Sequence, residues 1–187
     1  EFLRSSPSTS LILYGSEPWK PYNRVRLSDL LAGEIEWDEI SNDLSVPENS
    51  DAFVKINTPI VQIDKKNKCV IDINGNQQPY SYLILAVGSR ARRADAKAKT
   101  SLYGIYTYRD VDDAQDLMTH VVQSSHTVIV GGGVLGIEVA FALKTQNPKT
   151  DVTIIHKNDR LINRDLDIAA SAFLLKHVQK AGIKVIL

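Results

Sequence analysis

Cysteine is nearly missing from this chain. Cys69 is the single thiol in 187 residues, which excludes an internal disulfide, a cysteine-only metal site and a dithiol redox pair. Net charge is missing as well: 22 Lys and Arg stand against 22 Asp and Glu. A nucleic-acid or anionic-membrane binder carries a basic surplus instead. No uninterrupted apolar run nears the ~20 residues of a membrane helix. The opening Glu1-Phe2-Leu3-Arg4-Ser5-Ser6 lacks the charged-then-apolar layout of a signal peptide. Core-forming residues are plentiful, with 43% apolar and 24% charged positions, an ordinary globular composition for one domain or two small ones. The expectation is a cytoplasmic globular protein without nucleic-acid, membrane or metal partners.

The last third is the most legible. Thr127-Val128-Ile129-Val130 is a charge-free, β-branched run of the kind buried on both faces of a parallel sheet. Gly131-Gly132-Gly133-Val134-Leu135-Gly136 follows at once. The spacing then predicts a helix over 135–144, broken by Asn147-Pro148. Val152–Ile155 reads as a second strand, 165–180 as a longer helix closed by Ala181-Gly182, and Ile183–Leu187 as a third strand. This βαβαβ order predicts an α/β fold with a parallel, doubly wound unit.

Upstream the pattern changes. Leu11–Tyr14 reads as a buried strand, followed by a Pro-rich basic loop over 17–27 and a short helix capped by Ser28 and stopped near Gly33. Short strands are expected at Ala52–Asn57, Ile60–Asp64, Cys69–Ile73 and Tyr82–Ala86, joined as a β-meander through Lys65–Lys68 and Asn74-Gly75-Asn76. Residues 89–100 have no apolar periodicity and read as a segment crossing between two domains, 1–100 and 101–187. A helix capped by Asp110 is expected over 111–122. Leu11–Glu17 also echoes Val152–Asn158, as if both were second strands of a dinucleotide-binding half. The chain is therefore expected to begin inside a Rossmann domain, with an open sheet edge that another copy could pair with.

The glycine run sits between a strand and a helix, the context in which it binds a dinucleotide rather than merely turning the chain. Gly131 permits a tight turn, Gly133 lets backbone approach a pyrophosphate, and Gly136 lets helix pack on strand. Val134 and Leu135 open the helix, whose unpaired N–H groups and positive dipole end suit phosphate. The ribose-reading position, at the end of the second strand, carries His156-Lys157-Asn158-Asp159-Arg160. A carboxylate there favours NAD, whereas cations favour a 2′-phosphate. His156 and Lys157 thus point toward NADPH, while Asp159 keeps NADH open. Glu138 suits either a stabilising carboxylate near the helix N-terminus or a group facing the nicotinamide.

Taken together the residues resemble the FAD-dependent pyridine-nucleotide oxidoreductases, and within them most closely the NAD(P)H-dependent nitrite reductase branch. The resemblance rests on Glu17-Pro18-Trp19-Lys20-Pro21-Tyr22-Asn23-Arg24-Val25-Arg26-Leu27-Ser28, on Ile84-Leu85-Ala86-Val87-Gly88-Ser89, on Tyr106–Ala114 and on Gly131–Ala140. It implies an FAD/NAD(P)-binding, Rossmann-like fold with a partial FAD-binding domain over 1–100 and a partial NAD(P)-binding domain over 101–187. It also implies FAD contacts at Glu17, Arg24, Thr58, Ala86 and Gly88, and nicotinamide contact at Glu138. The activity implied is hydride transfer from NAD(P)H to FAD, with electrons passed on to a metal centre, and no acid, base or nucleophile from this chain in the hydride step.

Departures bound the resemblance. The Cys-x4-Cys pair of the disulfide reductases is absent, and Asp29 stands where the ferredoxin and rubredoxin reductase branch usually has lysine. Siroheme and an iron–sulfur cluster, if the parent is a nitrite reductase, belong to parts outside these residues. So does the glycine loop for FAD, so the isolated chain is expected neither to retain FAD nor to turn over NAD(P)H. The alternatives are a ferredoxin- or rubredoxin-type reductase and a non-catalytic nucleotide-binding module.

Overall fold

A computed structural model describes residues 9–41, 51–91, 103–121 and 124–187. The chain divides into two compact units, 1–23 with 41–89, and 24–40 with 90–187.

In the first unit, β1 (Leu11–Tyr14) pairs in parallel with β2 (Ala52–Lys55). A separate antiparallel sheet joins β3 (Ile60–Asp64), β4 (Cys69–Asp72) and β5 (Gln77–Pro79). The two turns of this meander are held by carboxylates. Asp64 Oδ1 accepts from the backbone N–H groups of Lys66 and Asn67, and Asp72 Oδ1 from those of Asn74 and Asn76. Led by the Asn67 N–H at Asp64 and by the Asn76 side-chain amide at Asp72, which donates to Oδ2 at 3.0 Å, hydrogen bonds favour the ionised forms, so both carboxyls lie below the usual carboxylate range.

Two expectations are corrected here. The Ala52–Asn57 strand is not part of the meander: it ends at Lys55 and lies beside β1. Tyr82–Ala86 has the composition of a doubly buried strand, but among the described residues none pairs with it. It lacks regular structure, with Tyr82, Ile84 and Leu85 exposed. Conversely, β5 was masked by its Gln-Gln-Pro composition, which has little strand preference of its own.

The second unit is built on a parallel sheet in the order β6 (His126–Val130), β7 (Asp151–Ile155), β8 (Ile183–Ile186). The connections are α4 (Val134–Gln146) and α5 (Ile168–Lys180), which completes the expected βαβαβ. Asp167 rather than Asp165 starts α5, because its carboxylate accepts from the Ala170 N–H at 2.8 Å. The helix α3 (Val111–Val121) begins after Asp110, whose Oδ1 accepts from the Asp113 N–H.

The short helices α1 (Leu27–Leu31) and α2 (Trp37–Ile40) also belong to this unit. Ser28 lies inside α1 and does not cap it; Arg26 occupies the N-cap position without a side-chain bond. Burial explains why 24–40 joins the later residues. Leu31 is fully buried in one cluster with Ile137, Leu143, Val152 and Ile154 of α4 and β7. Of the expected crossing segment, residues 92–100 lie outside the described residues. No helix among the described residues is long and apolar enough to cross a membrane.

Truncating Leu31 to Ala should cost about 2–5 kcal/mol, as for other large-to-small changes at fully buried sites. Chemical denaturation followed by circular dichroism reads the loss. A change below ~0.5 kcal/mol would show that α1 rests on the unit without stabilising it.

Candidate functional site

The glycine turn lies where β6 passes into α4. Gly131 has φ +131, a backbone that side chains disfavour, and its N–H donates to the Ile155 carbonyl at 2.9 Å. Gly133 is the extended N-cap residue of α4, and a Cβ built there would touch nothing within 4 Å. At Gly136 a Cβ would run into the Gly131 carbonyl oxygen. Helix and turn therefore approach more closely than any side chain allows.

Three properties make the start of α4 fit a dinucleotide phosphate. It has no side-chain cap, its first turn holds no acidic residue, and the space beyond Gly133 is open. The first-turn N–H groups of Val134 and Leu135 precede the first helical donor, Ile137 N–H, which bonds the Gly133 carbonyl at 3.1 Å. A dipole end with unpaired donors is the setting in which pyrophosphate is held.

The expected ribose-reading position is the loop after β7. Lys157 is exposed there. Arg160 turns onto its own loop, with Nη1 on Asp159 Oδ1 and Nη2 on the Asn163 carbonyl, both at 3.2 Å. His156 is half-buried, and its Nδ1 accepts from the Gly132 N–H at 3.0 Å. Gly132 is a residue that the motif spacing passes over. A Cβ there would stand 2.6 Å from Leu161 Cδ2 and 2.9 Å from His156 Cγ.

One turn further along α4, Glu138 lines a cavity of 270 Å³ between α1 and α4, together with Ser28, Asp29 and Thr145. Burial, and then the charge of Asp29, hold the Glu138 carboxyl above the usual carboxylate range. Asp29 is itself paired with Arg26 Nε at 3.2 Å. The Tyr108 hydroxyl is buried and has no hydrogen-bond partner among the described residues. Burial first, then Glu138, Asp29 and Asp113, raise it well above an ordinary phenol. Asp29 is a site neighbour that a linear reading passes over, since nothing in the motif connects it to Glu138.

The residues expected to contact FAD fall in both units. Glu17, Thr58, Ala86 and Gly88 belong to the first unit and Arg24 to the second. The Glu17 carboxylate accepts from the Tyr22 hydroxyl at 2.8 Å. The Thr58 N–H donates to the Gly15 carbonyl and its hydroxyl to the Ile56 carbonyl, each at 2.8 Å. Arg24 Nη1 donates to the Arg109 carbonyl at 3.2 Å. Gly88 has φ +61, and Ala86 beside it is exposed and without regular structure. No α-helix occurs among the described residues of the first unit, so they offer no helix N-terminus to a flavin pyrophosphate.

The turn, the helix start and the parallel sheet define a nucleotide-binding α/β protein. Residues 1–187 match the pyridine nucleotide-disulphide oxidoreductase family, and the chain belongs to it. It is 32% identical over 183 residues to a nitrite reductase (NAD(P)H) of Bacillus subtilis, covering 95% of this chain and 22% of that protein. It is also 32% identical over 177 residues to a rubredoxin-NAD(+) reductase of Ectopseudomonas oleovorans, covering 92% of this chain and 44% of that one. Among solved structures it matches NADH:rubredoxin oxidoreductase from Clostridium acetobutylicum with TM-score 0.77 and 26% identity, over 94% of this chain and 46% of that one. The chain thus spans less than half the length of these relatives.

Replacing Asp29 by Asn should lower the pH at which the Glu138 carboxyl titrates. The change removes a neighbouring negative charge and frees Arg26, and both effects favour the carboxylate. Carbon-13 carboxyl NMR measures the shift. An unmoved Glu138 titration would leave burial as its sole cause.

Proposed function

We propose that the second unit binds a nicotinamide dinucleotide on behalf of an NAD(P)H-dependent flavoprotein reductase. The observation that carries this reading is the start of α4, uncapped, free of acidic residues in its first turn and open beyond Gly133. In the whole protein the bound cofactors supply hydride transfer from NAD(P)H to FAD and release of electrons to a metal centre. The residues of this chain bind and orient. Gly131, Gly133 and Gly136 shape the turn, Val134 and Leu135 present N–H groups to phosphate, and Glu138 lies at the nicotinamide end. Lys157, exposed beside the ribose position, supplies a cation for a 2′-phosphate and hence a preference for NADPH.

The parent is a nitrite reductase large subunit on this reading. The similarity to the nitrite reductase of Bacillus subtilis supports it, and so does Asp29 at a position where the ferredoxin and rubredoxin reductase branch usually carries lysine. The similarity to a rubredoxin-NAD(+) reductase favours the alternative acceptor, a small iron protein. Glu17, Arg24, Thr58, Ala86 and Gly88 remain the proposed flavin contacts of the whole enzyme, completed by phosphate donors from outside the described residues.

Gly133→Val places a branched side chain in the open space where the pyrophosphate approaches. The expected loss is about 2 kcal/mol or more of NAD(P)H binding, roughly 30-fold in Kd, by analogy with overpacking a close contact. Calorimetric titration of the chain with each coenzyme reads it, and unchanged affinity would make the turn purely structural.

Lys157→Glu should move the preference from NADPH toward NADH by about tenfold, the scale of one charge-assisted contact. A chain that already prefers NADH would overturn the assignment of Lys157.

A further inference from the structure

The loop after β7 grips the glycine turn at Gly132. Both backbone polar groups of this residue are bonded to the loop: its N–H donates to His156 Nδ1 at 3.0 Å, and its carbonyl accepts from the Ile162 N–H at 2.9 Å. Side chains close on the same spot, since Leu161 and His156 fill the volume a Cβ would need. The grip is itself anchored. Leu161 is fully buried, and its carbonyl accepts from Ser171 Oγ of α5 at 2.8 Å. Ile162 is held at φ +46, a left-handed backbone that a β-branched residue adopts only under constraint from its surroundings.

The first of these bonds fixes the state of the imidazole. A backbone N–H can only donate, so Nδ1 must present its lone pair, and the ring proton sits on Nε2. That N–H faces Asn163 Oδ1 at 3.4 Å, an oxygen that also takes Asn158 Nδ2 at 2.9 Å. The amide nitrogen of Asn158, 3.4 Å from Nε2, finds no acceptor there in this tautomer. A neutral ring with its lone pair committed to Gly132 is no cation for a 2′-phosphate.

We infer that His156 is a positioning residue. It holds the glycine turn in its phosphate-receiving shape by accepting from the Gly132 N–H, so it sets affinity for NADH and NADPH alike and leaves the choice between them to other residues of the loop. The inference rests on reading the turn as a nicotinamide dinucleotide site.

The test compares the 187-residue chain with His156→Leu and His156→Asn, titrated calorimetrically with NADH and NADPH. Leucine leaves the Gly132 N–H without an acceptor, and both coenzymes should weaken by about tenfold. Asparagine carries its Oδ1 at the same branch point as Nδ1, so it should restore most of the affinity. A loss confined to NADPH would make His156 a phosphate reader and overturn the inference, and so would unchanged binding in the leucine variant.

Nitrogen-15 NMR gives a readout independent of coenzyme. The native ring should show a bare Nδ1 and a protonated Nε2. The Gly132 amide should exchange slowly, and the leucine variant should speed that exchange while leaving the β6–β7–β8 amides protected. If neither coenzyme binds but these signatures hold, the positioning role stands and the nucleotide reading falls. A native ring protonated on Nδ1, or a fast Gly132 amide, overturns the inference whatever the titrations show.

Discussion

The contact on which the second unit depends is the one between α4 and the turn before it, where Gly136 lies directly beneath the Gly131 carbonyl. Two atoms that a methyl group would drive apart set the distance from helix to sheet. That distance lets Ile137, Ala140 and Leu143 reach the same core as Val152 and Ile154 of β7. The turn itself then needs a left-handed step at Gly131, and the helix must start at Gly133 with its donors uncovered. Packing and the phosphate-receiving geometry are therefore consequences of one close approach.

The helix α1 extends this arrangement into chemistry. It is only five residues long, too short to persist alone, and it owes its place to Leu27, Leu30 and Leu31, which turn inward. Docked in that way, it brings Asp29 to the cavity lined by Glu138. Burial first, and then the charge of Asp29, oppose ionisation of the Glu138 carboxyl. The consequence at Glu138 thus begins with three leucines about a hundred residues earlier in the chain.

Much of this was legible in the sequence because its signals are local. β6, β7 and β8 announced themselves as β-branched runs, and the glycine turn lay between a strand and a helix, so the parallel unit followed. The misreadings share the opposite cause. Whether Ala52–Lys55 joins a meander or lies beside Leu11–Tyr14 depends on a partner some forty residues away, and nothing in its composition names that partner. Tyr82–Ala86 has strand composition, but pairing decides whether a strand forms, and the composition is silent on pairing. Ser28 looked like a cap because serine commonly is one, yet the helix starts at Leu27, two residues before the start that a cap at Ser28 would set. The membership of 24–40 in the second unit was equally invisible to a reading along the chain.

His156 is where residue type and hydrogen-bonding capacity part most directly. Listed by charge, it sits with Lys157 and Arg160 as a cation suited to phosphate; by hydrogen-bonding capacity it is a single acceptor already in use. An ionised carboxylate at the end of β7 offers two oxygens and about four lone-pair directions, enough to serve a backbone N–H of the turn and ribose hydroxyls together. A neutral imidazole offers one. With that lone pair taken by Gly132, a ribose bound as proposed would lack the acceptor that ordinarily distinguishes a free 2′-hydroxyl. Arg160 is likewise occupied, bonded to Asp159 and to the Asn163 carbonyl. Of the three groups it is Lys157 that stays exposed. On the proposed reading, a histidine in place of a carboxylate at this position thus separates holding the turn, which is done inside the fold, from reading the ribose, which would fall to a solvated side chain.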